Sequence, residues 1–337
     1  MRTPDFENVL KALRREKPNR PTLYELFLNE SFYARLTGRA NPGGPVEEHV
    51  WILEAMANAG YDYAPWGSWA NGFSFPKKER ERSATLSMNG NGMITDWESF
   101  EEYQWPDVDA FDFDVFDKMN RVMPEGMKLV PLGPSGVLEN VNGIVGYDNL
   151  CYMLYEEPDL VQAIFDHVGS RILKYYEACA QADCVGMICS NDDWGFNTQT
   201  FLSPSDMRKY VFPWHKKFVE AAHRSGKPAI LHSCGYFGDI IEDVIEDMKY
   251  DGRHSYEDNI MPAEEAYDKY GSHIAILGGI DMNLMTAGTP EEIYKRARAM
   301  LERTSECGGY LLGSGNSIPD YVPFENFMAL TKAALDG

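Results

Sequence analysis

The 337-residue sequence predicts a (β/α)8 barrel with an N-terminal helical segment and a long insertion after the second strand. Two observations carry this. Eight short apolar runs recur along the chain, most of them near-continuously apolar, as parallel strands buried on both faces are. Amphipathic stretches with helix start signals lie between them. A doubly wound sheet is the alternative, but no GxGxxG fingerprint follows the first run.

The expected strands are Thr22–Phe27, Tyr61–Pro65, Met127–Leu132, Val185–Cys189, Pro228–His232, Asp251–His254, His273–Leu277 and Tyr310–Gly313. Ser203-Pro204-Ser205-Asp206 offers a serine N-cap, proline at the first helical position and a carboxylate at the third. Thr289-Pro290-Glu291-Glu292 repeats that logic, and Pro323-Phe324-Glu325-Asn326 opens the last helix. Gly226 and Gly308 stand where helix C-termini need a left-handed residue. The insertion, residues 66–126, is longer than one helix needs. Inside it, Ser83–Met88 and Met93–Trp97 flank Asn89-Gly90-Asn91-Gly92, a hairpin signal for an arm that either lids the barrel mouth, the favoured reading, or decorates the surface. The whole chain, 1–337, thus reads as one barrel domain.

Composition narrows the partners. The net charge of −21, from 52 acidic and 31 basic residues, argues against nucleic acid and anionic lipid. The start of the chain is charged and lacks a signal-peptide core, and no apolar run is long enough to span a bilayer. The six cysteines lack a paired framework, so a cytoplasmic protein with free thiols is expected.

In such a barrel the chemistry sits at the C-terminal strand ends. Five successive expected strands end in polar groups, among them Asp192-Asp193, His232-Ser233-Cys234, His254 to Asp258, Asp281 and Ser314 to Ser317. His232 and Cys234, two apart on a strand, point to one side and make half of a zinc site; Glu257 offers an oxygen ligand from the next strand. The bland reading is a satisfied core histidine and a buried thiol. Asp193 is read as the inward member of its pair, able with a second carboxylate to hold a proton at neutral pH; the alternative is a turn aspartate. Asp281 follows two glycines and either approaches a ligand or caps a helix. Trp66, Trp69, Trp194 and Tyr236 flank strand ends and either stack on a flat ligand or belong to the core.

Taken in order, Asp193-Trp194-Gly195, Leu202-Ser203-Pro204, Pro213, Ile230 to Gly235, Gly278-Gly279-Ile280-Asp281, Gly308-Gly309-Tyr310 and Val322 to Asn326 resemble the uroporphyrinogen decarboxylase superfamily. That resemblance implies a (β/α)8 barrel of one of two kinds, a cofactor-free decarboxylase or a methyltransferase acting on a corrinoid cobalt, often with zinc. Decarboxylases of the family carry an arginine-bearing N-terminal segment. The comparable stretch here, Thr22–Phe27, has Glu25 and no arginine, so a polycarboxylate is disfavoured. The methyltransferase branch is matched better, through His232 and Cys234. Its members complete zinc with a later cysteine, where this chain has Asn316. The resemblance therefore implies transfer of a methyl group from a small donor, such as a methoxylated aromatic, to a cobalamin-type corrinoid on a separate protein. His232, Asp193 and Glu257 are the implied catalytic groups, and His232, Cys234 and Glu257 the implied zinc ligands. Glu25, Trp66, Trp194, Tyr236, Asp281 and Asn316 would line the substrate site. A homodimer is compatible with this reading.

Overall fold

The computed structural model describes residues 2–77 and 92–337. Seven parallel strands pair strictly in chain order: β1 (Tyr63–Gly67), β2 (Lys128–Leu132), β3 (Ile188–Asn191), β4 (Ala229–His232), β5 (Gly252–His254), β6 (Ala275–Leu277) and β7 (Tyr310–Leu311). Their side chains are almost all buried, as continuous apolar runs require when helices cover the outer face. The eighth staves position is filled by residues 22–28. Leu23 bridges Leu312, with Tyr24 N–H donating to Leu312 O (2.8 Å) and Leu312 N–H to Thr22 O (2.9 Å).

This first expected strand departs from a regular ladder on its other flank. Toward β1, the Tyr63 hydroxyl takes the place of a strand partner. It donates to Glu25 O (2.5 Å) and accepts from Glu25 N (2.8 Å). A side chain thus closes the barrel seam. Tyr63→Phe should lower stability by about 1–3 kcal/mol, because a buried N–H and C=O would both lose their partner. Urea unfolding at neutral pH measures this.

The helix signals act as expected. Ser203 Oγ accepts from Asp206 N (3.1 Å), and Thr289 forms a reciprocal cap with Glu292 at the start of helix Pro290–Thr304. Pro323 precedes helix Phe324–Leu335, and Gly226 and Gly308 adopt φ of 71° and 69°. The insertion is built differently from a hairpin lid. Its described part holds helices Trp97–Glu102 and Val115–Val122 and two short 3-10 turns. Residues 83–88 and 89–91, the expected first arm and most of the turn, lie outside the described residues. The second arm, Met93–Trp97, is not a strand. Met93 and Ile94 give their N–H groups to Ile144 O, and Asp96 caps a helix that Trp97 begins, accepting from Ser99 N (2.8 Å).

What positions the site is register. Asn191 pairs with His232, and His232 with His254, so three adjacent strands end level. Hydrogen bonding continues past the strand ends, from Asp192 N to His232 O (2.9 Å) and from Ser233 N to His254 O (2.7 Å). The residues that follow are therefore held by backbone bonds rather than by loose loops. Among the described residues no helix is long and apolar enough to cross a membrane, and all six cysteines are free thiols.

Candidate metal centre

At the C-terminal mouth, His232, Cys234 and Asp193 converge, with one donor atom from each lying within 4.8 Å of the others. Cys234 Sγ is 3.6 Å from His232 Nε2, and Asp193 Oδ1 is 3.9 Å from the same nitrogen. Zinc bonded at about 2.0–2.3 Å sets neighbouring donors roughly 3.3–3.6 Å apart, so the histidine–cysteine edge already has that length. Asp193 is steadied by Cys234 N–H, which donates to Oδ1 (2.8 Å). His232 is 8% exposed and Asp193 37%, so the cluster opens to solvent on the aspartate side.

A second histidine fixes the first. His254 Nε2 lies 3.1 Å from the Ser314 carbonyl, which can only accept, so Nε2 carries a proton. Burial holds His254 neutral, with the neighbouring His232 next in effect, and its Nδ1 is then an acceptor. His232 Nδ1, 2.7 Å away, must donate to it. The His232 Nε2 lone pair is left facing Cys234 and Asp193. Burial, helped by the Arg253 guanidinium, lowers the His232 pKa to about 3, so no proton competes for that lone pair near neutrality.

Cys234 is prepared in a matching way. Asn316 Nδ2 (3.3 Å) and Ser255 Oγ (3.6 Å) both direct hydrogens at its sulfur. Burial and the Asp193 carboxylate nonetheless raise the thiol well above its ordinary range. Arg253 lies beneath, wholly buried, donating to Ser255 O (2.7 Å) and Ser233 O (3.1 Å) and stacked 3.7 Å over the Phe237 ring. It ties the segment that carries His232 and Cys234 to the segment after β5, whose Ser255 donates to the Cys234 sulfur.

A carboxylate pair borders the cluster. Asp192 is buried and turned away from it, accepting from Leu138 N (3.0 Å), Glu139 N (2.9 Å) and His215 Nε2 (3.0 Å). It thereby caps helix Val137–Val145 and sets Glu139 in its first turn. Glu139 is half-buried. Burial, then the Asp193 and Asp192 charges, push its pKa up to about 8.

The structure gathers some expected residues and disperses others. His232, Cys234, Asp193 and Asn316 come together. Glu257 sits beside them but spends Oε1 on Gly235 N (3.4 Å), and Asp193 rather than Glu257 completes the three-donor group. Asp281 caps helix Met282–Ala287, accepting from Asn283 N (2.8 Å) and Asp258 N (3.2 Å). Trp66 faces the helix layer, bonded to Asn71 Oδ1 (2.7 Å) and packed 4.0 Å from the His49 ring. Trp194 is buried between Phe212 and His215. Tyr236 stands at the rim and reaches Asp239 Oδ1 (3.2 Å). Glu25 is wholly buried and bonded to Ser314, so it presents no charge to a substrate. Sequence reasoning names His254 and Ser314 among the polar strand ends but gives them no role in the site, and it misses Glu139. A second histidine ending the adjacent strand at the same level as His232 was the signal that could have placed His254.

Fold and site together define a (β/α)8-barrel protein with a nitrogen, sulfur and oxygen donor cluster at its mouth. The chain belongs to the uroporphyrinogen decarboxylase family, whose model matches residues 136–336. A uroporphyrinogen decarboxylase of Geobacter sulfurreducens is 28% identical over 191 residues, 56% of this chain and 53% of that protein. A methylated-thiol–coenzyme M methyltransferase of Methanosarcina mazei is 22% identical over 191 residues, 56% of this chain and 48% of that protein. The chain thus spans about half the length of the curated relatives it matches. A solved methyltransferase from Methanosarcina mazei superposes over 98% of this chain and 97% of its own, with a TM-score of 0.69 at 18% identity, which shows the fold.

Proposed function

We propose that the protein is a corrinoid-dependent methyltransferase, taking a methyl group from a small donor such as a methoxylated aromatic to the cobalt of a corrinoid on a separate protein. The observation that carries this is the His232–Cys234–Asp193 cluster with its histidine locked neutral and facing outward. These residues fit zinc, being two borderline or soft donors and one carboxylate with a position left open. When bound there, zinc supplies Lewis-acid polarisation of the oxygen or nitrogen that loses the methyl group.

The chain's own residues supply the rest. The carbon–oxygen bond breaks as the cobalt–carbon bond forms, and the departing oxygen needs a proton. Glu139, its carboxyl pushed upward by burial and the Asp193 and Asp192 charges and its Oε2 accepting from Gly136 N (3.2 Å), is assigned as the donor. A site with Asn316 where the branch has a second cysteine is less thiophilic, which favours oxygen or amine donors over thiols. Trp69, Phe196 and Tyr321, exposed at 52%, 39% and 67%, follow strand ends around the mouth and offer a broad aromatic rim to a flat corrinoid.

The direct experiment mixes purified protein, zinc, reduced cobalamin and a panel of methoxybenzoates and methylamines under anoxic conditions. Methylcobalamin formation, followed by absorbance, is the expected result. A cofactor-free decarboxylase is the second reading, favoured by the 28% identity to a protein of that name. Decarboxylation of a porphyrinogen with no methylcobalamin from any donor would replace the first reading with the second.

A further inference from the structure

Both ligand arms of the cluster lead back to one residue. His232 is held by His254, and His254 by the Ser314 carbonyl (3.1 Å). Cys234 is held by the Asn316 side chain, and the Asn316 carbonyl by the Ser314 hydroxyl (2.6 Å). Ser314 in turn rests on Glu25: its N–H donates to Oε1 (2.8 Å), and its Oγ lies 2.7 Å from Oε2.

The proton count at that last contact is informative. A serine hydroxyl has one hydrogen. The Asn316 carbonyl can only accept, so it takes that hydrogen. The contact between Ser314 Oγ and Glu25 Oε2 then needs a proton on the carboxyl. We propose that Glu25 is a neutral carboxylic acid that donates to Ser314 and, through it, anchors both metal-ligand arms as a remote positioning residue. The anchoring of a metal site rests on the zinc reading above; the neutral acid does not.

The surroundings agree. Glu25 is fully buried, and burial raises its pKa to about 8 against the lowering effect of the Ser314 bonds. The titratable groups around it are phenols: Tyr24 on its own segment, Tyr33 on helix Glu30–Thr37, Tyr61 and Tyr63 at β1, and Tyr310 on β7. Each of these is shifted upward and stays neutral. His254, edge-on to the Tyr24 ring at 5.0 Å, is neutral too. Among the described residues none of these facing groups is a cation that would hold a carboxylate ionised.

Glu25→Gln tests the inference, since an amide reproduces one acceptor and one donor without charge. In the full-length protein at pH 6, the infrared difference spectrum of parent minus E25Q should show the carbonyl band of a buried carboxylic acid, any Glu139 contribution being common to both proteins and cancelling. Glu25 contributes stability that is fully present below its ordinary pKa of 4.5 and lost as pH rises through about 8. E25Q should therefore lack that part of the alkaline decline and be at least as stable as the parent at pH 8. E25Q should keep the hydrogen-bonded imidazole N–H proton signals of His232 and His254, and its cobalt(II) affinity within about threefold of the parent. Glu25→Leu, checked for folding by circular dichroism, should broaden those signals and weaken cobalt by about 10- to 100-fold. Absence of that band from the parent-minus-E25Q difference at pH 6, or an E25Q protein as impaired as E25L, would overturn the proposal. If the parent binds no cobalt or zinc while the band and the imidazole signals behave as stated, Glu25 stands as the anchor and the metal reading alone falls.

Discussion

Cys234→Ser should empty the metal centre, with zinc affinity falling by at least about 100-fold and methyl transfer falling with it. The serine hydroxyl keeps the size of the thiol but does not ionise near neutrality, so the only sulfur among the three donors is lost. The fold should survive, because the side chain is only partly buried and its neighbours Asn316 and Ser255 can donate to a hydroxyl as readily as to sulfur. Zinc content after dialysis against a weak chelator, together with a thermal melt, separates the two effects. His254→Leu provides the contrast. It leaves all three donors in place but removes the partner that fixes the His232 tautomer, and a loss of about 10- to 100-fold is expected. Equal zinc in C234S and parent protein would remove the sulfur from the centre.

Most of the barrel was legible because its strands are short, parallel and covered on both faces, which leaves continuous apolar runs in the sequence. Residues 22–28 show where that logic stops: their inner neighbour is a tyrosine hydroxyl, and no pattern of apolar residues encodes a side chain replacing a ladder. The insertion was misread at Met93–Trp97 because an Asn-Gly turn signal is local, whereas the amides that follow it bind Ile144, about fifty residues away. In the site, His232 and Cys234 were visible through strand parity. Trp66 is expected at the substrate site, yet it lies on the face of β1 opposite Tyr63 and joins the helix layer, so the same parity was not applied to it. The third donor was not legible. Asp193 and Glu257 both follow strands next to His232, and which reaches it depends on Cys234 N–H holding one and Gly235 N–H the other. Glu25 is expected at the substrate site as a carboxylate disfavouring a polycarboxylate; its burial against Ser314, from the far end of the chain, takes it out of that site.

Asp192→Ala should cost about 3–5 kcal/mol of stability, the largest structural effect expected at any residue near the centre. Asp192 has no exposed surface, and its carboxylate gathers three donors from two other elements: Leu138 N, Glu139 N and His215 Nε2. His215 is held in that orientation by the Tyr250 hydroxyl and Ser190 Oγ, which lie 2.8 and 3.2 Å from its Nδ1. Alanine would leave two helix-start amides and an imidazole N–H without partners in a site closed to water. Asparagine should not rescue, since Oδ1 and Oδ2 both receive hydrogens and an amide nitrogen in either place would face an N–H. Urea unfolding of D192A and D192N measures the loss. The same substitution frees the first turn of helix Val137–Val145, and with it Glu139, while displacing the adjacent Asp193. Zinc affinity should therefore fall together with stability in D192A. In Glu139→Gln, which leaves the cap intact, zinc should hold and methyl transfer alone should fall. A D192A protein as stable as the parent would show that the cap is supplied by some other group.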